Sequence, residues 1–218
     1  MRYICTHKEF NEPRLDGDSI IITDGVELTG QYKYPVIKAD NELEPLKHSY
    51  AELYQMYDIF KKDTTSEYIT INHYRRYFNP LTEENTVPVP FPMDLRAQYA
   101  MCHNIQHLDQ CIQIIKKYYP TYNTDNLKVL FPCNMSTQTH EVFNDYCDFI
   151  FTILREFHEQ NHLHTDADVA NYVSNYNNQS IDYQSRLGGF LSERIGTIYF
   201  LNHPQNNYKF TRIIPTND

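Results

Sequence analysis

Residues 66–78, SEYITINHYRRYF, place the tightest constraint on what this chain can fold into. Tyr68, Ile69 and Ile71 have the β-branched and aromatic character of a buried strand, and Asn79-Pro80 supplies a stop. Between them the run turns abruptly into His73-Tyr74-Arg75-Arg76-Tyr77-Phe78. A strand that only fills a core has no use for adjacent arginines at its end. In open α/β sheets ligands bind beyond the carboxyl ends of the strands, where this basic and aromatic cluster would sit. Guanidinium groups there can grip phosphate through two parallel hydrogen bonds, and a tyrosine such as Tyr74 can stack on a base or sugar. The pattern therefore predicts an anion-binding site at the end of this strand. The alternative is that Arg75 and Arg76 pair with acidic residues of a chain whose formal net charge is −9.

The surroundings of this strand read as an α/β alternation in a single domain, which 218 residues are enough to fill. Met1–Thr6 is a first strand running into His7-Lys8, and Ile20–Thr23 a second, closed by the turn pair Asp24-Gly25. Glu44–Lys62 carries Leu46, Tyr50, Leu53, Tyr54, Tyr57 and Phe60 at helical steps, with Lys61 and Lys62 suited to its last turn. Residues 79–93 contain Pro80, Pro88, Pro90 and Pro92, so a loop is expected, placed in sequence to act as a lid over the basic cluster. Helical patterns follow over Asp94–Tyr119, Thr139–Glu159 and Asp182–Asn202, the last interrupted early by Gly188-Gly189, with a short strand at Val129–Phe131.

Four motifs invite a metal reading. Asp16-Gly17-Asp18 has too few ligands for a calcium loop and the composition of an ordinary turn. His103, His107 and Asp109 form the second, His103 and His107 sharing a helix face at i and i+4, a spacing that also arises by chance. His158-Glu159-Gln160-Asn161-His162 is a literal HExxH, the zinc-hydrolase spacing, but it lies in a strongly polar stretch where the helix is expected to end. Asp166-Ala167-Asp168 spells a DxD, yet it follows no apolar strand, and Thr165 with Asp168 reads better as a capping box.

Charge and cysteine usage narrow the function classes. The 28 acidic residues against 19 basic ones argue against general nucleic-acid binding, which needs a basic face. Nineteen tyrosines suggest a surface rich in hydroxyls suited to polar ligands such as sugars. The five cysteines show no CxxC spacing and fit reduced thiols in a cytoplasm. The charged first twenty residues give no signal-peptide pattern, and no apolar run approaches the roughly 20 residues of a membrane span. A soluble cytoplasmic protein is expected, with docking at the inner face of a membrane left open.

Several of these pieces together resemble one bacterial family. They are Thr6-His7-Lys8 after the first strand, Glu52-Leu53-Tyr54 in a Tyr-rich helix, the His73–Phe78 box, Asn134-Met135, Tyr146-Cys147 before Phe151, and Arg186-x-Gly188-x-Phe190-Leu191-Ser192-Glu193-Arg194. The family is the capsular and exopolysaccharide-associated glycosyltransferase-like domain of unknown function 4422, and the resemblance spans residues 1–201, leaving 202–218 as a C-terminal tail. Two departures stand out: tryptophans usual in the family's first helix are absent, and the segment before that helix is short.

The resemblance implies a single-domain α/β fold of glycosyltransferase-A type, a mixed sheet flanked by helices. It also implies a nucleotide-sugar donor and a glycan or lipid-linked acceptor in surface polysaccharide synthesis. Related folds place a DxD at the end of this strand to recruit a divalent cation, Mg or Mn, to the donor diphosphate; here His73-Tyr74-Arg75-Arg76 stands in its place. On that basis Arg75 and Arg76 are expected to hold the diphosphate, with Tyr74 and Asn134 also at the donor and His73 assisting leaving-group departure. His7 and Lys8 would hold the nucleotide. Glu193 is the candidate general base for the acceptor hydroxyl, unless it is a structural partner of Arg194 or Arg186. A cation requirement stays open. A noncatalytic glycan- or nucleotide-binding domain and a zinc hydrolase built on HEQNH are the competing readings.

Overall fold

Short runs, β-branched in β2 and β4, become the strands of a main mixed sheet and a small separate ribbon in the computed structural model, which describes residues 1–15, 17–78, 83–125 and 127–216. In chain order the strands are β1 (Arg2–Thr6), β2 (Ser19–Thr23), β3 (Val36–Lys38), β4 (Tyr68–His73), β5 (Arg76–Tyr77), β6 (Thr86–Pro88), β7 (Phe91–Pro92), β8 (Val129–Leu130), β9 (Ser136–Thr139), β10 (Lys209–Thr211) and β11 (Ile214–Pro215). The helices are α1 (Lys47–Tyr50), α2 (Glu52–Lys62), α3 (Leu95–Cys102), α4 (Ile105–Tyr118), α5 (His140–Gln160), α6 (Asp166–Tyr172), α7 (Ile181–Ser185) and α8 (Leu187–Asn202).

The main sheet runs β10-β6-β9-β4-β1-β2-β3, with β5 pairing both β4 and β11; β7 and β8 form a separate ribbon. β1 lies parallel to β2 and to β4, in a register that sets Cys5 opposite His73. The chain therefore leaves β1 and β4 side by side, His7 just beyond one strand and the Tyr74-Arg75 turn just beyond the other. β9 is antiparallel to β4 and to β6.

Alternation along β1 and β2 divides the core. Tyr3, Cys5 and Ile22 enter a large cluster to which every helix contributes apolar residues, while Ile4 and Ile21 face a small cluster with Leu15, Tyr34 and Tyr74. Loop residues Phe10, Leu28 and Tyr32 pack against that second face.

The structure departs from the sequence pattern where tertiary contacts override it. Glu44–Lys62 is not one helix: a 3-10 turn (Glu44–Leu46) and α1 stop at Ala51, whose φ of 50° and ψ of −128° break the run before α2. Gly188 and Gly189 explain the break, since a Cβ on Gly188 would meet the Ser49 carbonyl oxygen at 3.1 Å and one on Gly189 the Ala51 Cβ at 3.1 Å. Asp94–Tyr119 divides at His103, with Asn104 capping α4, and Asp182–Asn202 divides at Arg186. The proline-rich segment expected as a loop carries β6 and β7, with Pro88 and Pro92 at their ends. The expected stop Asn79-Pro80 and the first part of the expected lid lie outside the described residues, as does Asp16. Ser136–Thr139, a polar run whose last residue was expected to begin a helix, is the buried sheet strand β9, and its Thr137 Oγ1 pairs with Thr70 Oγ1 at 3.0 Å. Residues 203–216, beyond α8, carry β10 and β11.

Candidate functional site

A two-lobed cleft opens beyond the carboxyl ends of β1, β2 and β4. The first lobe, about 350 Å³, is lined by Thr6, His7, Asp24, Gln55 and His48, among others. The second, about 300 Å³, is lined by Arg75, Arg76, Cys133, Phe190 and Glu193, among others. Glu52, His73 and Arg186 line both lobes and so stand at their junction.

The strand-end arginines face this cleft. Arg75 and Arg76 occupy the hairpin between β4 and β5, and among the described residues neither is paired with a carboxylate. Arg75 lies over the Tyr74 ring at 5.1 Å, and Lys8 Nζ over the same ring at 5.3 Å. Tyr74 itself is only 2% exposed, sunk in the small cluster, so it carries these cations from below and presents no face on which a base could stack. Lys8 lines a separate shallow depression with Glu9, Glu12 and Tyr32, outside the cleft.

Burial, reinforced by nearby positive charge, sets the state of the histidines. Burial, then Arg75, Arg76, His7 and Arg186, push the His73 pKa down to about 3, leaving a neutral imidazole. The Arg75 backbone N–H lies 3.5 Å from His73 Nδ1, which favours Nε2 as the protonated nitrogen. His7 is lowered as well, first by burial and then by Arg186, Arg75 and Lys8, with Asp24 opposing. Its Nε2 lies 3.5 Å from the Tyr74 hydroxyl.

Two carboxylates share the second lobe, and one short turn holds both. Cys133 and Asn134 sit consecutively at φ 74° and 48°, the left-handed region that asparagine tolerates and cysteine rarely enters. From this turn the Cys133 N–H donates to Glu193 Oε1 at 2.8 Å, and Asn134 Nδ2 donates to Glu52 Oε1 at 3.0 Å. Asn134 lines neither lobe, so its place is behind Glu52. Glu193 Oε2 also accepts from Arg194 Nη1 at 2.8 Å, and Arg186 Nη2 lies 3.9 Å from Glu52 Oε2. The ion pair considered for Glu193 thus exists with Arg194, while Arg186 turns to Glu52. Burial raises the Glu193 pKa, Arg194 opposes, and Glu52 raises it further.

Sequence reasoning singled out Arg75, Arg76, His7, His73 and Glu193 for this site and missed Glu52, Arg186, Cys133 and Asp24. Glu52 entered only as part of a family motif, and Arg186 as part of one and as a possible ion-pair partner of Glu193; nothing in their local pattern separates them from surface charges.

The metal-like motifs are not assembled. His158 is buried, its Nδ1 bonded to the Leu154 carbonyl at 2.7 Å and its ring stacked on Tyr50, whereas His162 lies past the end of α5 at φ 57°. The two imidazoles therefore do not share a helix face. His103 precedes α4 and meets Gln184 Oε1 at 3.0 Å, while His107 packs on Tyr172 inside it. Thr165 and Asp168 form the expected capping box, and Asp166 accepts from the N–H groups of His48 and Ser49, each at 2.9 Å. Among the described residues no group of three or more His, Cys, Asp or Glu could hold a metal ion.

A family model described as Domain of unknown function (DUF4422) matches residues 2–91 and 84–205. No curated protein matches the chain. Among solved structures the chain is similar to the apo structure of WbbM, a bifunctional glycosyltransferase, with a TM-score of 0.72 at 16% sequence identity. That match covers 100% of this chain and 45% of WbbM, so the chain spans less than half the length of that protein. The mixed sheet flanked by helices is thus a glycosyltransferase-like fold, as expected.

Proposed function

We propose that this chain, which belongs to the family described as Domain of unknown function (DUF4422), transfers a sugar from a nucleotide sugar to a glycan or lipid-linked acceptor. A place in bacterial capsular or exopolysaccharide synthesis, on the cytoplasmic side of the membrane, is part of the same reading; no helix of the described residues is long and apolar enough to cross a membrane. One observation carries it: Arg75 and Arg76, free of carboxylate partners among the described residues, face Glu193 across a lobe at the sheet's carboxyl edge.

Departure of a nucleoside diphosphate breaks the bond between the sugar C1 and the phosphate oxygen, and the developing negative charge needs neutralising. The guanidinium groups of Arg75 and Arg76, already lining the cleft, supply that positive charge. His73, neutral at physiological pH, assists as a hydrogen-bond donor through Nε2 and not as an acid. His7 holds the nucleotide from the first lobe. In the new bond the acceptor oxygen joins C1, and its proton passes to Glu193, whose raised pKa makes it a stronger base than an ordinary glutamate. Asn134 and Tyr74 serve as supports, and Lys8 contributes positive charge from outside the cleft.

A divalent cation, which the fold family admits, would need several oxygens around one point. Glu52 is engaged by Asn134 and faces Arg186, and Glu193 by Cys133 and Arg194, so the residues present do not fit such an ion. The engagement of Glu193 by Arg194 favours one competing reading, a binding domain without turnover. Calorimetry with uridine, guanosine and cytidine diphosphate sugars, followed by assay of nucleoside diphosphate release with acceptors, separates the two. Arg76→Ala is expected to weaken binding of the nucleotide sugar about tenfold or more, the loss of a charge-assisted contact. Glu193→Gln should keep binding and lower turnover by about a hundredfold or more. Binding unaffected by Arg75→Ala and Arg76→Ala in folded protein would remove the diphosphate assignment, and binding with no release under any acceptor would favour the noncatalytic reading.

A further inference from the structure

The junction residues Arg186 and Glu52 belong to neither half of the scheme above, although both lobes touch them. Their mutual contact is a single long one, 3.9 Å from Nη2 to Oε2, with the Arg186 side chain 35% exposed. Glu52 therefore holds this guanidinium loosely, without the bidentate geometry of a locked pair, and the guanidinium also lies over the Phe190 ring, 5.6 Å from Cζ to the centroid. Glu52, by contrast, is fixed from behind by Asn134 at 3.0 Å and only 14% of its side chain is exposed. Charge around the second lobe is unbalanced, three arginines against two glutamates in a chain that is acidic overall. Glu193 has its own partners in Arg194 and the Cys133 N–H. Glu52 therefore has Arg186 as its one cationic neighbour within ion-pair distance among the described residues.

We propose that Arg186 is a third diphosphate ligand held in waiting by Glu52, and that its transfer to the diphosphate frees Glu52 Oε2 to accept a hydrogen bond from a sugar hydroxyl. Two lobes separated by these residues would then fill in order: nucleoside diphosphate first, sugar or acceptor hydroxyl second. Arg186 gains because a diphosphate offers paired oxygens matched to its fork, whereas Glu52 offers one oxygen at the limit of ion-pair distance. Glu52 exchanges a distant cation for a direct hydrogen bond, so its buried carboxylate is never left without a partner. This deepens the transfer reading and rests on it.

The test is a double-mutant cycle read by calorimetry with the nucleoside diphosphate of the panel that binds wild type tightest, and no activity is needed. Arg186→Ala is expected to weaken binding about tenfold to a hundredfold, as loss of a charge-assisted contact does, and Arg186→Lys to restore part of it. Glu52→Gln keeps the Asn134 hydrogen bond and removes the competing charge, so it should tighten binding about twofold to fivefold. In the Arg186→Ala background the same Glu52→Gln change should have no effect. Thermal melts of each variant establish folding, with Arg186→Lys as the check if Arg186→Ala unfolds. Glu52→Gln that weakens binding, or tightens it equally without Arg186, overturns the inference while leaving the diphosphate site intact. Absence of binding to any nucleoside diphosphate by the wild-type chain overturns both this inference and the transfer reading.

Discussion

At the scale of single residues, the site depends on two consecutive left-handed positions. Cys133 and Asn134 aim a backbone N–H at one carboxylate and a side-chain amide at the other, and neither contact survives if the turn relaxes to extended backbone. Asn134→Ala keeps the Cβ but loses the polar side chain that makes the left-handed region tolerable, at a cost of about 1–2 kcal/mol. Asn134→Gly accepts the same backbone freely. Thermal melting should therefore show both variants below wild type, because Glu52 loses its support, with Asn134→Ala clearly below Asn134→Gly, and nucleotide-sugar turnover should fall in both. Equal melting of the two variants would mean that the turn stores no strain.

At the scale of elements, the break between α1 and α2 shapes the first lobe. Ala51 lines that lobe with φ 50° and ψ −128°, a conformation costly for any residue with a Cβ and natural for glycine. The start of α8 sets this break, pressing Gly188 on the Ser49 carbonyl and Gly189 on Ala51. Ala51→Gly should relieve the strain, and after the entropy glycine adds to the unfolded chain a net gain of about 1 kcal/mol is expected in denaturant unfolding. Gly188→Ala should do the opposite, because its Cβ would press first on the backbone carbonyl oxygen of Ser49, at a cost of about 1–3 kcal/mol. A stabilised Gly188→Ala protein would show that the close approach is slack.

At the scale of the whole molecule, buried neutral histidines link stability to pH. His73 is lowered to about 3 and His103 and His107 to about 4, chiefly by burial, and His158 is lowered as well. Each ring is protonated in the unfolded chain below its ordinary value of 6.5 but resists protonation when folded. Their contribution is therefore complete above pH 6.5 and lost as pH falls from there toward 4 and 3. Each proton taken up on unfolding steepens the loss by about 1.4 kcal/mol per pH unit. Melting temperature should fall steadily from pH 7 to 4.5, and His107→Leu should flatten that slope. An unchanged slope in His107→Leu would show that this ring does not titrate in the interval.

Local chemistry was enough to find the strands β1, β2 and β4, the apolar face of α5, the capping box of α6 and the arginines at a strand end. Each of these depends on residues within a few positions of one another, where periodicity and stop signals act. The hairpin at Tyr74-Arg75, which returns the chain as β5, was not legible, since no Gly, Asn or Pro marks the turn and the expected stop lay at Asn79-Pro80. Only the tertiary structure decided which charges meet there: Asn134 reaches Glu52 across 82 residues and Cys133 reaches Glu193 across 60. It also made a sheet strand of the polar run Ser136–Thr139, because pairing with β4 and β6 satisfies its backbone and Thr70 one of its side chains, so that burial does not require an apolar sequence. Contacts between distant segments leave no period or spacing behind them, and in this protein those contacts build the cleft.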